Sequence, residues 1–254
     1  MLDLDKAKKE FEKYISNYDL KNPEIKRKVE HSYRVAEISE KIAKSLNLSN
    51  EEIKVATLIG LLHDIGKIDQ RSEKSVYKDL ERVEHGEAAV KILEKNDYIR
   101  KYIENSRYDN IIKTAIINHS KYEIEKKLDD KTLGFCKIIR DSDKLDILYQ
   151  AETLFWKNGT KLQDEITQNV IEEFYNQIKV HRENIETKID GIISMISNIY
   201  DIYYQESFKM VKENDYINKI MNKFEIEDKH VKEEFNEIQS IANNYIEDKI
   251  KNMK

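Results

Sequence analysis

The sequence predicts an all-α protein, and three observations carry that prediction. One proline and six glycines in 254 residues leave few places where a helix must break. Charged residues make up 37% and hydrophobic ones 39%, a mixture that suits amphipathic helices. Alternating β-branched runs between tight turns, which mark strands, are scarce.

The elements follow in order. Asn22-Pro23 reads as an N-cap with proline at the first helical position, opening a helix that runs to about Leu46. Ser49-Asn50-Glu51-Glu52 has the Ser-x-x-Glu form of a capping box and opens the next. That helix runs through Ile53, Val55, Leu58, Leu61 and Leu62 to the doublet His63-Asp64, and Gly66 reads as its C-terminal stop. Asp69 to Glu84 is polar and predicts a loop containing a short helix. Further helices are expected over His85–Lys95, Asn110–Ser120 and Thr132–Trp156. Lys157-Asn158-Gly159-Thr160 is the clearest break in the second half. Beyond it the pattern predicts helices over Lys161–Lys179, over His181–Asn214 and from Asp228 to the end. The expected organisation is a chemistry-bearing domain over 1–156 with a helical extension, 157–254, packed on it.

Charge and composition narrow the function. The net charge is −5 with both signs interspersed, unlike the basic footprint of a general nucleic-acid binder. A small phosphorylated molecule can still be held where a local cation or a metal supplies positive charge. The single cysteine, Cys136, excludes an intramolecular disulfide and fits a reducing compartment. Its apolar neighbours predict a small buried hydrophobe, not a nucleophile. The acidic start Met1-Leu2-Asp3-Leu4-Asp5-Lys6 has no apolar core of a signal peptide. The longest apolar stretch, Ile189 to Tyr204, is interrupted by Asp190, Asn198 and Asp201, so no membrane span is expected. The expected location is cytoplasmic.

Four of the six histidines lie among apolar residues at helical spacing. His31 is followed by Val35, Ile38 and Ile42 on one face. His119 follows Ile112, Ala115 and Ile116, and His85 opens a helix with Ala88, Ala89 and Ile92 inward. His63 adjoins Asp64 at an apolar helix end, and Asp143 shares a face with Cys136, Ile139 and Ile147. A lone histidine on such a face is ordinarily a satisfied core residue, and Asp143 has Arg140 and Lys144 as possible ion-pair partners. Several such groups together are better explained by one shared cation, since a buried carboxylate without compensation is strongly unfavourable. His181 and His230 lack this setting and read as solvated.

The order His31, His63-Asp64, Asp143 resembles the HD-domain superfamily of metal-dependent phosphohydrolases. The resemblance is carried by His31-Ser32-Tyr33-Arg34-Val35-Ala36, Leu62-His63-Asp64-Ile65-Gly66-Lys67, Glu84-His85-Gly86-Glu87-Ala88 and Ile139-Arg140-Asp141-Ser142-Asp143-Lys144-Leu145-Asp146. It spans roughly residues 25 to 150 and implies an all-α bundle around the metal. It implies a first metal site of His31, His63, Asp64 and Asp143. His85 and His119 match positions that hold a second metal in some subgroups, with Asp64 then bridging, and face the substrate phosphate in others. Lys67 matches a lysine beside the substrate phosphate; Asp64 and Lys67 are the expected catalytic residues. Arg34 and Arg71 are further phosphate-binding candidates, each with a plain surface reading beside it. Asp146 reads either as a support for a ligand imidazole or as a surface ion-pair partner. The nitrogen and oxygen donors favour one or two ions of Mn, Fe, Co, Ni or Zn. No Gly-Tyr-Pro element follows the loop after Lys67, which speaks against the cyclic-dinucleotide phosphodiesterase subgroup. The implied activity is hydrolysis of a phosphomonoester or phosphodiester of a nucleotide or related small molecule by metal-activated hydroxide. A non-catalytic binding module and a di-iron oxygenase are the alternatives.

Overall fold

The structure is a computed structural model that describes residues 2–72 and 83–253. The chain separates into two compact units, 1–143 and 144–254.

The first unit is built from helices. α1 (Leu4–Ile15), which the sequence reading missed, is capped by the Asp3 carboxylate accepting from the amides of Asp5 and Lys6. It buries Ala7, Phe11, Tyr14 and Ile15. α2 (Pro23–Ser45) starts where Asn22 accepts from the Glu24 amide at 2.9 Å. α3 (Asn50–Leu62) opens with both halves of the expected capping box between Ser49 and Glu52. α4 (Ile65–Gln70), α5 (His85–Glu94) and α6 (Asp109–His119) follow. α7 (Asp130–Gln150) runs through the boundary between the units and continues as a π-type turn over 151–155.

Gly66 is not the stop of α3. That helix ends at Leu62, His63 and Asp64 form the turn, and Gly66 lies inside α4. A Cβ there would stand 2.6 Å from the Ala89 amide nitrogen and 2.7 Å from the His85 carbonyl oxygen, so glycine lets α4 rest directly on α5. Gly60 does the same between α3 and α2, where a Cβ would meet Ala36 Cα at 2.8 Å. Of the polar stretch read as a loop, Asp69 and Gln70 belong to α4, and residues 73–82 lie outside the described residues. Val35, Ile42, Leu58, Leu62, Ala88, Ile92, Ile112 and Ile116 fill the interior of this unit. Burial of each larger aliphatic side chain is worth about 1.5–3 kcal/mol. Below the doublet, Tyr14 donates to the Ile65 carbonyl at 2.9 Å and Tyr18 to the Asp69 carboxylate at 2.8 Å, their hydroxyls 2.9 Å apart.

The second unit corrects two expectations. The helices read over 161–179 and 181–214 are each broken. β1 (Thr160–Leu162) pairs in parallel with β2 (Phe224–Ile226), Thr160 opposite Phe224. α8 (Gln168–Tyr175), α9 (Lys188–Ile196), α10 (Gln205–Glu213), α11 (Tyr216–Met221) and α12 (Lys229–Asn252) make up the rest. The breaks have local causes. Gln177 takes a positive φ of 57°, which ends the α8 segment. The buried Asp190 carboxylate accepts from the Thr167 and Thr187 amides, fixing the starts of α8 and α9 together. The apolar stripe from Ile189 onward is real, but the chain leaves the α-helix at Ser197 and runs extended at Ile202 and Tyr204. Lys144, Lys179 and the Tyr203 hydroxyl converge on Asp201, at 2.9, 3.3 and 2.8 Å. Among the described residues no helix is long and apolar enough to cross a membrane.

Candidate metal centre

The six residues expected as ligands come from α2, the α3–α4 turn, α5, α6 and α7. Two sets of donor atoms lie close enough to hold an ion: His31, His63 and Asp64, and Asp64, His85 and His119. Asp143 is in neither set but borders the first, its Oδ1 3.2 Å from His31 Nε2 and 3.8 Å from His63 Nε2.

Local backbone aims these rings. His63 Nδ1 lies 2.7 Å from the Gly60 carbonyl, and His119 Nδ1 2.5 Å from the Ile116 carbonyl. A carbonyl only accepts, so Nδ1 carries the proton in both and each Nε2 lone pair points inward. His31 Nε2 approaches His63 Nε2 to 3.1 Å. Arg140, fully buried on α7, donates to the carbonyls of Asn118, Lys121 and Tyr122 and so fixes the backbone on both sides of His119.

Asp64 stands between the two sets. Its Oδ2 faces His31 Nε2 at 3.6 Å and His63 Nε2 at 3.9 Å. Its Oδ1 faces His85 Nε2 at 3.7 Å and His119 Nε2 at 3.8 Å. That Oδ1 is buried and has no hydrogen-bond partner. An orphaned carboxylate oxygen among imidazole nitrogens beyond hydrogen-bonding distance is the mark of a group completed by a cation. The donors present therefore fit a divalent metal.

A family model described as HD domain matches residues 29–148. Residues 29–148 are an HD domain. No curated protein and no solved structure matches the chain in the corresponding comparisons. All six ligand candidates of the HD domain fall inside the matched segment, and His181 and His230 fall outside it.

The electrostatics suit metal binding. Burial pushes the His63 imidazole down to about 3 against the pull of Asp64, and burial, reinforced by His119, pushes His85 down to about 4. Both rings are thus neutral ligands at neutral pH. Burial acts to raise the Asp64 and Asp143 carboxyls. Lys28 holds Asp64 well below the usual range, and a hydrogen bond from His31 does so for Asp143. Lys67, half-buried on α4, is lowered by burial and by Lys28 while Asp64 and Asp143 oppose the shift, so it lies in the field of this centre.

The remaining candidates are placed unequally. Arg34 lies one turn beyond His31 on α2 and is half-buried. Arg71 is half exposed and pairs with Glu24 at 3.3 Å. Asp146 is fully buried and accepts from Gln150 at 2.7 Å, which removes its surface ion-pair reading. Cys136 is fully buried, and burial pushes its thiol up to about 12. His181 stays partly exposed, and its ring lies 2.6 Å from the Glu173 carboxylate. Sequence reasoning missed Lys28, whose Nζ lies 2.8 Å from Asp64 Oδ2. Its signal was its place three residues before His31, on the same helical face.

Proposed function

We propose that this HD domain is a metal-dependent phosphohydrolase acting on a nucleotide or a related small phosphorylated molecule. The observation that carries the reading is the pair of donor sets, His31–His63–Asp64 and Asp64–His85–His119, that share the buried Asp64, whose Oδ1 has no partner. A regulatory module that had abandoned catalysis would be expected to have lost donors from those sets. His31, His63, Asp64 and Asp143 would hold one ion, and Asp64, His85 and His119 a second, with Mn, Fe, Co, Ni or Zn suiting the donors. A divalent ion bound there supplies Lewis-acid chemistry, lowering the pKa of water and offsetting charge on a phosphoryl oxygen.

The chain's own residues do the rest. Asp64 turns one oxygen to each imidazole pair, so a single carboxylate sets the relation between the two halves of the centre. His63 and His119 keep fixed tautomers through their carbonyl partners, so no ring has to reorient before reaction. Lys67 offers a half-buried ammonium within the electrostatic reach of Asp64, where its charge would act on a phosphate with little screening. Arg34 and Arg71 extend the positive field; Arg71 would give up an exposed ion pair with Glu24, a contact worth about 1 kcal/mol or less.

The test is phosphate release from a panel of nucleoside mono- and diesters with added Mn2+, in wild type and Asp64→Asn. Turnover is expected in wild type and loss by about 10²–10³-fold in the variant, with helical circular dichroism retained, a range typical of losing a principal electrostatic group. Oxygen consumption with added Fe2+ and no phosphate release would point to the oxygenase alternative. Metal binding without either activity would leave a binding module.

A further inference from the structure

Lys28 has no part in the ligand set, yet it makes the shortest contact to that set's central residue. Its ammonium lies 2.8 Å from Asp64 Oδ2, and its side chain is only 12% exposed. Burying an ammonium on a carboxylate costs desolvation of both groups, and neither is tolerable without the other. Without metal, Lys28 is thus the counter-charge that makes the nearly fully buried Asp64 acceptable. The same Oδ2 faces His31 and His63, so the lysine sits on the oxygen that serves the first cluster. The family match begins at residue 29, so this contact comes from a residue just outside it.

A divalent cation in that cluster would compensate the same carboxylate and repel the ammonium. An interaction that stabilises the metal-free form but not the loaded form subtracts its strength from metal affinity, by linkage. We propose that Lys28 is a resident counter-cation that competes with the metal for Asp64, keeping the empty centre folded and lowering the affinity of the His31–His63–Asp64 cluster. The proposal rests on the metal-centre reading above. Its consequence is that the centre exchanges metal more readily than its donor set alone would allow.

The experiment titrates the full chain with Mn2+ alone by calorimetry and records thermal unfolding with and without the ion. Lys28→Met keeps the length of the aliphatic stem and removes the charge. The expected result is a lower Tm than wild type without metal, an equal Tm with saturating Mn2+, and a Kd for Mn2+ at least tenfold smaller. Lys28→Gln, which still offers Asp64 a hydrogen bond, is expected to move Kd in the same direction with a smaller fall in Tm. Lys28→Arg, which keeps the charge, is expected to retain the wild-type Kd. Binding by wild type that Lys28→Met and Lys28→Gln leave unchanged or weaken overturns the proposal and spares the metal reading. No Mn2+ binding by wild type overturns both.

Discussion

Replacing Gly66 by alanine separates two opposite expectations. Helix propensity alone favours the change, since alanine is better than glycine inside a helix by about 1 kcal/mol. The packing opposes it. The added Cβ would lie 2.6 Å from the Ala89 amide nitrogen and 2.7 Å from the His85 carbonyl oxygen, whereas ordinary contact begins at 3.4 Å, so α4 must back away from α5 by about 0.8 Å. Both neighbours are backbone atoms of the first turn of α5 and cannot swing aside. Overpacking of this kind costs about 1–3 kcal/mol, and in a domain of this size that lowers Tm by about 2–12 °C. The displacement also falls between Asp64, two residues before Gly66, and His85, whose Nε2 lies 3.7 Å from Asp64 Oδ1. Metal–ligand distances tolerate only about 0.2 Å, so Mn2+ affinity should fall at least tenfold. Thermal unfolding and calorimetric Mn2+ titration of Gly66→Ala measure both effects. A raised or unchanged Tm together with wild-type affinity would refute the close-contact argument.

Other perturbations test the rest of the first unit. Arg140→Met leaves the carbonyls of Asn118, Lys121 and Tyr122 without their buried donor, and urea unfolding should show a loss of about 3 kcal/mol. Glu52 is held down to about 2, chiefly by Lys131 and then by the Ser49 hydroxyl. Because that is below its ordinary 4.5, the stabilisation is present above about pH 4.5 and fades as pH falls toward 2. Glu52→Gln can still complete the capping box, and Lys131 is 42% exposed, so the loss at pH 7 should be about 1 kcal/mol or less and should shrink on acidification in urea titrations at several pH values. Cys136 should resist a thiol-specific chromogenic reagent in the native protein and react promptly in denaturant; fast native labelling would contradict its burial.

The first half of the chain was largely legible because its signals are local. Asn22-Pro23 and Ser49-x-x-Glu52 fix helix starts by chemistry within a few residues, and both caps form. His31 and His119 were found because a polar ring on an apolar stripe is visible in the 3.6-residue period. Gly66 was misread because its role depends on α5, about twenty residues further on and invisible to local pattern. Lys28 was passed over because a lysine in a lysine-rich helix looks like surface until its partner Asp64 is located in space. The second half failed where an apolar period continues through real breaks. The stripe through Ile189, Ile196 and Tyr203 spans a 3-10 turn, and the shared cap at Asp190 joins Thr167 and Thr187 across about twenty residues.

The tyrosine pair under the doublet lies upstream of the segment by which the family is identified. Tyr14 holds the Ile65 carbonyl and Tyr18 holds Asp69, yet the family match opens only at residue 29. A fragment trimmed to that match would keep every candidate ligand and lose the buttress beneath the turn that carries Asp64. The boundary of inheritance and the boundary of mechanical support therefore do not coincide. Substitutions in α1 that touch no ligand should register as weakened ion retention, and a survey of the family segment alone would miss their cause.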